Sequence, residues 1–295
     1  MNKSITLKSA LDNYIQHCEV YNKKGTIIFY KQHAKALLKH FNGDDLLASI
    51  SLSKVHNYIK EQKESGLKND TINKRLGVLK RATKYSGNPS QFSKLKALKA
   101  HYISYGRLTN EELEAIESNL HRMQLLDRLV YLLLRDTGAR AIELRRIKIT
   151  NIDLKARILR MDETKTGKPR SVYFTTGTMR TIQKYVRANE KRYNHEQVYL
   201  FYSLVNNRNS LNYIVKRIKT ISGVNRFSPH RMRHTLASQL YEAGQDAIII
   251  NRLLGHSDMQ TTLRYIQIDQ ERERKQYDEL LKKARKFPHG GNDEL

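Results

Sequence analysis

The chain has 295 residues, and its 54 Lys and Arg residues outnumber its 29 Asp and Glu residues, giving a formal charge of +25. This length allows two domains with separate cores, and a basic excess spread over both halves favours an extended polyanion, above all nucleic acid, as the partner over a merely basic protein. A single cysteine, Cys18, excludes an internal disulfide framework, and no apolar run approaches the ~18 residues of a membrane helix. No signal-peptide core is present near residue 1, so we expect a cytoplasmic, nucleoid-associated protein.

Four segments before residue 86 space their apolar residues three or four apart, which is the period of amphipathic helices. They are LKSALDNYIQHCEVY, TIIFYKQHAKALLKHF, SLSKVHNYIKEQKES and NDTINKRLGVLKRATKY. Asn69 or Asp70 is expected to cap the last of them. GNPS at 87–90 ends the pattern, because proline disfavours helical geometry in the residue before it. We therefore predict a helical domain over 1–90 and a basic linker over 91–107.

A larger domain is predicted over 108–288, with a short tail at 289–295. It starts with a helix that Thr109 can cap, and two more helical segments follow, QLLDRLVYLLLRDTG and ARAIELRRIK. The stretch NIDLKARILRMDETKTGKPRSVYF then indicates short strands joined by the turn TKTGKP. Helical periodicity returns from about residue 178. The expected fold class is mainly α with a small antiparallel β-sheet (α+β).

The stretch SPHRMRH concentrates basic side chains at the start of a predicted helix, with Ser228 as N-cap and Pro229 as first helical residue. His230 then lies in the first turn, where backbone N–H groups and the helix dipole attract an anion. Arg233 follows one turn later and can bind two phosphate oxygens. A zinc ion here would meet arginines and no acidic ligand, so an anion fits and a metal does not. We expect His234 to be a packing residue.

Three further stretches carry groups that could join such a site. DTGARAIELRRI places Arg140 at the N-terminus of a helix, and ETKTGKP places Lys165 and Lys168 on a hairpin tip. LLGHSDMQTTLRYIQ contains His256 and Tyr265. Each has an ordinary alternative when taken alone: a surface arginine, solvated lysines, or one more packed tyrosine among the 17 of the chain.

The order of these four patterns is specific. TGxRxxEL, a hairpin lysine, HxxRH, and LLGH with a tyrosine nine residues later resemble the tyrosine recombinase (phage integrase) family. The resemblance covers residues 140–265 closely. It covers residues 1–90 more loosely, where NDTINKRLGVLKRATKY looks like the last helix of the family's core-DNA-binding domain, in an Xer-like two-domain organisation.

The resemblance implies a site-specific recombinase that cleaves and rejoins DNA through a 3′-phosphotyrosine intermediate, with no metal, ATP or other cofactor. Its catalytic residues would be, in chain order, Arg140, Lys165, His230, Arg233, His256 and Tyr265. By similarity, Tyr265 is the nucleophile that attacks the DNA phosphorus. Arg140 and Arg233 match the two arginines that hold the non-bridging phosphate oxygens, a task that suits the planar, permanently charged guanidinium group.

The remaining positions match supporting roles in the family. His230 and His256 match the residues that hydrogen-bond the phosphate and help to move the proton of the tyrosine. Lys165 matches the hairpin lysine that protonates the departing 5′-oxygen, with Lys168 on the same turn as the alternative. Glu143 matches an acidic position that orients the arginines from behind.

Family membership also implies partners. We expect a homo-tetramer on double-stranded recombination sites, or an assembly with a paralogous recombinase, in which the charged tail after Tyr265 docks on a neighbouring subunit. The helices start near residue 7, so a lambda-type arm-binding domain is not expected. That leaves an Xer-type chromosome-dimer resolvase or a mobile-element integrase, and the lysine-rich N-terminal half slightly favours the latter. Alternatives from other classes are a non-cleaving DNA-binding protein, a type IB topoisomerase or telomere resolvase, and a metal-dependent nuclease.

Overall fold

The computed structural model describes residues 5–87, 92, 94–99, 106–162, 164, 169–193, 199–255, 274 and 277–278. The chain divides into two units, Met1–Ile103 and Ser104–Leu295, and each has its own apolar core. Within the described ranges the fold is mostly helical with one three-stranded antiparallel sheet, which confirms the predicted fold class. None of the helices in these ranges has the length and apolar character needed to cross a membrane.

The first unit is a cluster of helices with α4 at its centre. Its helices are α1 (Leu7–Tyr21), α2 (Lys24–Leu38), α3 (Leu52–Glu64) and α4 (Asn69–Tyr85). α4 packs against the other three and buries Ile72, Leu76 and Leu79, which lie three or four residues apart. All four helices predicted from apolar spacing are therefore confirmed.

The N-terminus of α4 differs from the prediction. Lys68 occupies the cap position without a side-chain cap hydrogen bond, and Asn69 is the first helical residue. The Asn69 side chain instead donates to the carbonyl of Lys99 at 2.7 Å. The predicted cap was wrong because this amide serves a contact 30 residues away in the chain.

Residues 92 and 94–99 of the predicted 91–107 linker belong to the first unit, whereas Gly106 and Arg107 contact Arg231 and Glu242 of the second. Phe92 and Leu95 are buried in its core. Asn73 on α4 holds the backbone of Leu98 through two hydrogen bonds, one donated by its amide at 2.9 Å and one accepted at 2.8 Å. These contacts attach segment 94–99 to the first unit.

The second unit surrounds one central helix, α6. Its elements in chain order are α5 (Asn110–Ser118), α6 (Leu125–Thr137), α7 (Ala141–Arg145), β1 (Ile152–Asp153), β2 (Ile158–Met161), β3 (Arg170–Tyr173), α8 (Thr176–Ala188), α9 (Glu190–Tyr193), α10 (Tyr202–Asn206), α11 (Arg208–Ser222), α12 (Pro229–Glu242) and α13 (Ala247–Leu254). Thr109 caps α5 in a reciprocal capping box with Glu112, as predicted for that threonine. α6 packs against α8, α11 and α12 and is buried along most of its length.

The small sheet has the order β1-β2-β3, with both pairs antiparallel. Leu159 on β2 lies opposite Val172 on β3, and both side chains are buried in the core of the second unit. This arrangement confirms the short strands predicted from residues 151–174. The tip of the predicted hairpin, residues 165–168, lies outside the described residues.

Candidate active site

The turn between α6 and α7 sets the position of Arg140. α6 ends at Gly138, whose φ of 56° lies in the left-handed region. A Cβ at this position would lie 2.8 Å from Cδ2 of Leu254, so both the backbone angle and the packing require glycine. The chain then turns into α7 with Arg140 at its N-cap position, the placement expected from the sequence.

The Glu143 carboxylate holds this turn together. Its Oε2 accepts a hydrogen bond from the Arg140 backbone N and its Oε1 accepts one from Arg140 Nη1, both at 2.8 Å. Arg170, at the start of β3, donates through Nη1 and Nη2 to the same two oxygens, also at 2.8 Å. Burial alone would raise the pKa of Glu143, but the two arginines outweigh burial and lower this pKa to about 2. The carboxylate is therefore ionised throughout the neutral pH range.

The start of α12 presents His230 from a helix N-terminus. Ser228 caps the helix by accepting a hydrogen bond from the Arg231 backbone N at 3.2 Å, and Pro229 is the first helical residue, as predicted. His230 lies in this first turn and is partly exposed. Partial burial of its ring and the positive charges of Arg233, Arg140 and Arg231 lower the pKa of His230 below its ordinary value. The imidazole is therefore mainly neutral at pH 7.

Arg233 lies one turn further along α12 and is almost fully buried, with 3% of its surface exposed. Its Nη1 donates to the carbonyl of Gly138 at 2.8 Å, and its Nη2 donates to the carbonyl of Leu254 at 2.5 Å. The planar guanidinium thus bridges the end of α6 and the end of α13. A lysine has a single nitrogen and lacks the geometry for both contacts.

Three arginines bind the last carbonyl groups of α13. The carbonyl of Leu253 accepts a hydrogen bond from Arg170 Nε at 3.0 Å. The carbonyl of Leu254 accepts one from Arg233 Nη2 at 2.5 Å, and the carbonyl of Gly255 accepts one from Arg140 Nη2 at 2.8 Å. Carbonyl groups at a helix C-terminus lack intrahelical donors and carry the negative end of the dipole, so cationic donors satisfy both needs. The arginines therefore fix the point of the chain that directly precedes His256.

His234 follows Arg233 directly on α12. It is buried, its Nδ1 lies 3.4 Å from Ser238 Oγ, and its burial lowers its pKa. This confirms the expectation that His234 is a packing residue. Among the described residues, no group of three or more His, Cys, Asp and Glu side chains is placed to hold a metal ion.

Four of the residues predicted from the sequence come together here: Arg140, Glu143, His230 and Arg233. Arg140 and Arg233 bind adjacent carbonyl groups, and both act electrostatically on His230. The other predicted site residues lie outside the described residues; they are Lys165, Lys168, His256 and Tyr265.

Arg170 belongs to the cluster but was not singled out from the sequence. The alternation of side chains along β3 could have identified Arg170. This residue shares one face of the strand with Val172 and the following Phe174, and both of these are buried. A cation on a buried face needs a partner. The partner, Glu143, is 27 residues away, so no local pattern identified the pair.

Known proteins resemble this chain over most of its length. The model of the phage integrase family matches residues 106–272, more than half of the chain. A probable integrase/recombinase of Acholeplasma phage L2 is 27% identical over 233 residues, covering 76% of this chain and 78% of the phage protein. Tyrosine recombinase XerA of Thermococcus onnurineus is 26% identical over 276 residues, covering 90% of this chain and 94% of XerA.

Solved structures show the same fold. The Tn1549 transposon integrase in complex with transposon right end DNA superposes with a TM-score of 0.76 at 19% identity, covering 94% of this chain and 100% of that one. A lambda integrase tetramer bound to a Holliday junction gives a TM-score of 0.72 at 20% identity, covering 90% and 78%. The chain belongs to the phage integrase family and is a tyrosine recombinase.

Proposed function

We propose that this tyrosine recombinase cleaves and rejoins double-stranded DNA at specific sites through a 3′-phosphotyrosine intermediate, without metal, ATP or another cofactor. The observation that carries the proposal is the meeting of Arg140 and Arg233 at the end of α13, with His230 beside them. These cationic side chains come from separate parts of the chain and are held in place, so together they can bind one phosphate group. The same cluster would repel a metal ion.

In the proposed reaction the phenol oxygen of Tyr265 attacks the scissile phosphorus. A bond forms between this oxygen and phosphorus, and the bond from phosphorus to the 5′-oxygen breaks. His230 and His256 help to remove the phenol proton, and Lys165, or Lys168 on the same turn, protonates the departing 5′-oxygen. A 5′-hydroxyl from another strand then reverses these steps. The phosphotyrosine keeps the energy of the broken phosphodiester, so resealing needs no ATP.

Arg140 and Arg233 are proposed to stabilise the charge that grows on the non-bridging oxygens in the transition state. Their positions are fixed before DNA arrives, because backbone carbonyls and Glu143 already hold both guanidinium groups. A preorganised donor needs no reorganisation during reaction and contributes about 100- to 1,000-fold to the rate. Glu143 orients Arg140 without contacting DNA.

The lowered pKa of His230 predicts a pH dependence. Below that pKa the imidazole is a cation and accepts no proton, so the cleavage rate should fall as pH falls through it. A bound phosphate counteracts the neighbouring arginines and raises the pKa. In pH profiles of single-turnover cleavage, the acidic inflection should therefore lie at higher pH with saturating DNA than in the second-order rate at low DNA. His230→Gln should remove this inflection, and an unchanged profile in that variant would assign it to another group.

The first unit offers a second basic surface. A groove there is lined by Lys35, Lys39, His40 and Arg75. Together with the charge of +25 on the whole chain, this groove supports contacts to a DNA backbone. We infer that the first unit contributes to binding of the half-site.

The assembly is proposed to be a homo-tetramer on two duplexes, or a mixed assembly with a paralogous recombinase. Lambda integrase, which shares the fold, has been solved as a tetramer on a Holliday junction. For the biological role, integration and excision of a mobile element is favoured by the lysine-rich N-terminal half. Xer-type resolution is the second candidate, because XerA aligns over 94% of its own length.

The direct test is capture of the covalent intermediate. A nicked suicide duplex of the recombination site, incubated with the full chain in excess EDTA and without ATP, should yield a protein joined to the 3′-phosphate at the cleavage point. The measured mass of the assembly on two intact sites should correspond to four protomers. Binding without covalent capture would favour a non-cleaving DNA-binding protein, and cleavage that EDTA abolishes would favour a metal-dependent nuclease.

A further inference from the structure

Arg170 is a third arginine of the site, and all of its guanidinium nitrogens are used. Its side chain is 6% exposed. Nη1 and Nη2 form a two-point ion pair with Glu143, and Nε donates to the carbonyl of Leu253 at 3.0 Å. Removing a guanidinium from water is costly, and this complete set of partners offsets the cost. The two-point pair with a carboxylate separates Arg170 from Arg233, whose two Nη atoms bind backbone carbonyls, and from Arg140, whose side chain makes one contact to Glu143.

The Glu143 carboxylate links Arg170 to Arg140. Glu143 Oε1 accepts hydrogen bonds from the Nη1 atoms of both arginines, each at 2.8 Å. Because Arg170 holds both carboxylate oxygens, the plane of the carboxylate is fixed. The plane in turn determines where the Arg140 guanidinium lies. Without Arg170, the carboxylate could rotate and carry Arg140 with it.

Arg170 also passes directly under the end of α13. A Cβ on Gly255 would lie 2.9 Å from Cδ of Arg170, and Gly255 has a φ of 65°. Glycine at this position therefore gives Arg170 access to the Leu253 carbonyl as well as allowing the left-handed turn. The residue that follows this turn in the sequence is His256.

The position of Arg170 in the chain adds a third connection. It is the first residue of β3, five residues after Lys165. At the other end of β3, Thr175 donates through its backbone N and its Oγ1 to the Asp136 carboxylate at the end of α6, at 2.8 and 2.9 Å. The strand is thus attached at both ends to the segments on either side of the Gly138 turn.

We propose that Arg170 is a positioning residue for DNA cleavage: it aligns Arg140 through Glu143 and anchors the end of α13 through the Leu253 carbonyl. This inference rests on the proposed function, since it assumes that Arg140 acts on the scissile phosphate. Arg170 itself does not contact DNA.

The test compares Arg170→Lys with Arg160→Lys. Arg160 lies on the neighbouring strand β2 and forms an ion pair with Asp162, but its side chain is 66% exposed, so it serves as a matched control. Arg170→Lys keeps the charge and loses the two-point contact. Its single-turnover cleavage of a suicide substrate should fall about 100-fold, as expected when a catalytic group shifts by about 1 Å. Binding of a half-site duplex should change less than about threefold, and Arg160→Lys should match the unmodified chain in both measurements.

A second substrate separates positioning from general damage to the fold. A methylphosphonate at the scissile position replaces one charged oxygen, so its reaction depends less on charge stabilisation by Arg140. The defect of Arg170→Lys should shrink markedly on this substrate, as should that of Arg140→Ala. A defect of equal size on both substrates, or cleavage within about twofold of the unmodified chain, would overturn the proposal.

Two further variants keep the outcome interpretable. If Arg170→Lys unfolds, Arg170→Gln removes the two-point contact but keeps an amide donor near the Glu143 carboxylate, whose charge stays paired with Arg140. It should bind the half-site and show the same substrate-dependent defect. If Arg140→Ala and Tyr265→Phe retain cleavage, the proposed function itself fails; if they lose it while the Arg170 variants cleave normally, only the positioning inference fails.

Discussion

Arg233→Lys is expected to lower the rate of single-turnover DNA cleavage by about 100- to 1,000-fold. The substitution keeps the positive charge, so a loss of this size must come from geometry. Arg233 binds Gly138 and Leu254 through separate nitrogens, and a lysine ammonium reaches at most one of these positions. The carbonyl left without its donor is buried, so the segments before Arg140 and before His256 should both lose their alignment.

The measurement is the rate of covalent complex formation on a suicide duplex, together with the half-site dissociation constant and the thermal unfolding midpoint. Arg226→Lys is the control, because Arg226 is exposed and pairs with Glu112 away from the cluster. It should cleave at the normal rate. Near-normal cleavage by Arg233→Lys would mean that a single positive charge at this position is sufficient for catalysis. The two hydrogen bonds from Arg233 to Gly138 and Leu254 would then serve only the stability of the fold.

Local chemistry made part of this site predictable from the sequence. Ser228 and Pro229 mark the start of α12, and Thr109 marks the start of α5, because a helix N-terminus depends on a few adjacent residues. Arg140 was expected at a helix N-terminus for the same reason. These residues determine where each helix begins, and they therefore place His230 in the first turn of α12.

Long-range contacts account for what was missed. Asparagine is a residue type that is favoured at helix N-caps. The side-chain amide of Asn69 nevertheless binds the carbonyl of Lys99, which comes close only in the folded first unit. The hairpin motif before Arg170 pointed to Lys165 and Lys168 as the functional residues. The ion pair of Arg170 could not be recognised from the sequence because its partner, Glu143, lies in a separate turn. Glu143 itself was chosen by resemblance to the family. The structure supplies its physical reason, a buried carboxylate shared by two arginines.

Tyr265→Phe is expected to abolish covalent capture, with a loss of about 10,000-fold or more in cleavage rate. Only the phenol oxygen is removed, and neither the charge of the protein nor the arginine cluster changes, so the half-site dissociation constant should stay within about twofold. Tyr213→Phe is the control, because Tyr213 is exposed and lies on α11, outside the tail that is expected to dock on a neighbouring subunit. A covalent complex formed by Tyr265→Phe would assign the nucleophile to another residue.

Mixing variants identifies which protomer supplies the nucleophile. Arg140→Ala lacks an arginine of the cluster but keeps its tyrosine, and Tyr265→Phe has the complementary defect. If the tyrosine acts within its own protomer, neither contains a complete site, and a mixture should be as inactive as each variant alone. If a neighbour lends its tyrosine, the mixture contains composite sites in which the intact cluster of one protomer meets Tyr265 of the other, and covalent capture should recover on the Arg140→Ala chain. In both cases, we expect the arginines at the end of α13 to decide where cleavage takes place, because they are proposed to hold the phosphate that the tyrosine must reach.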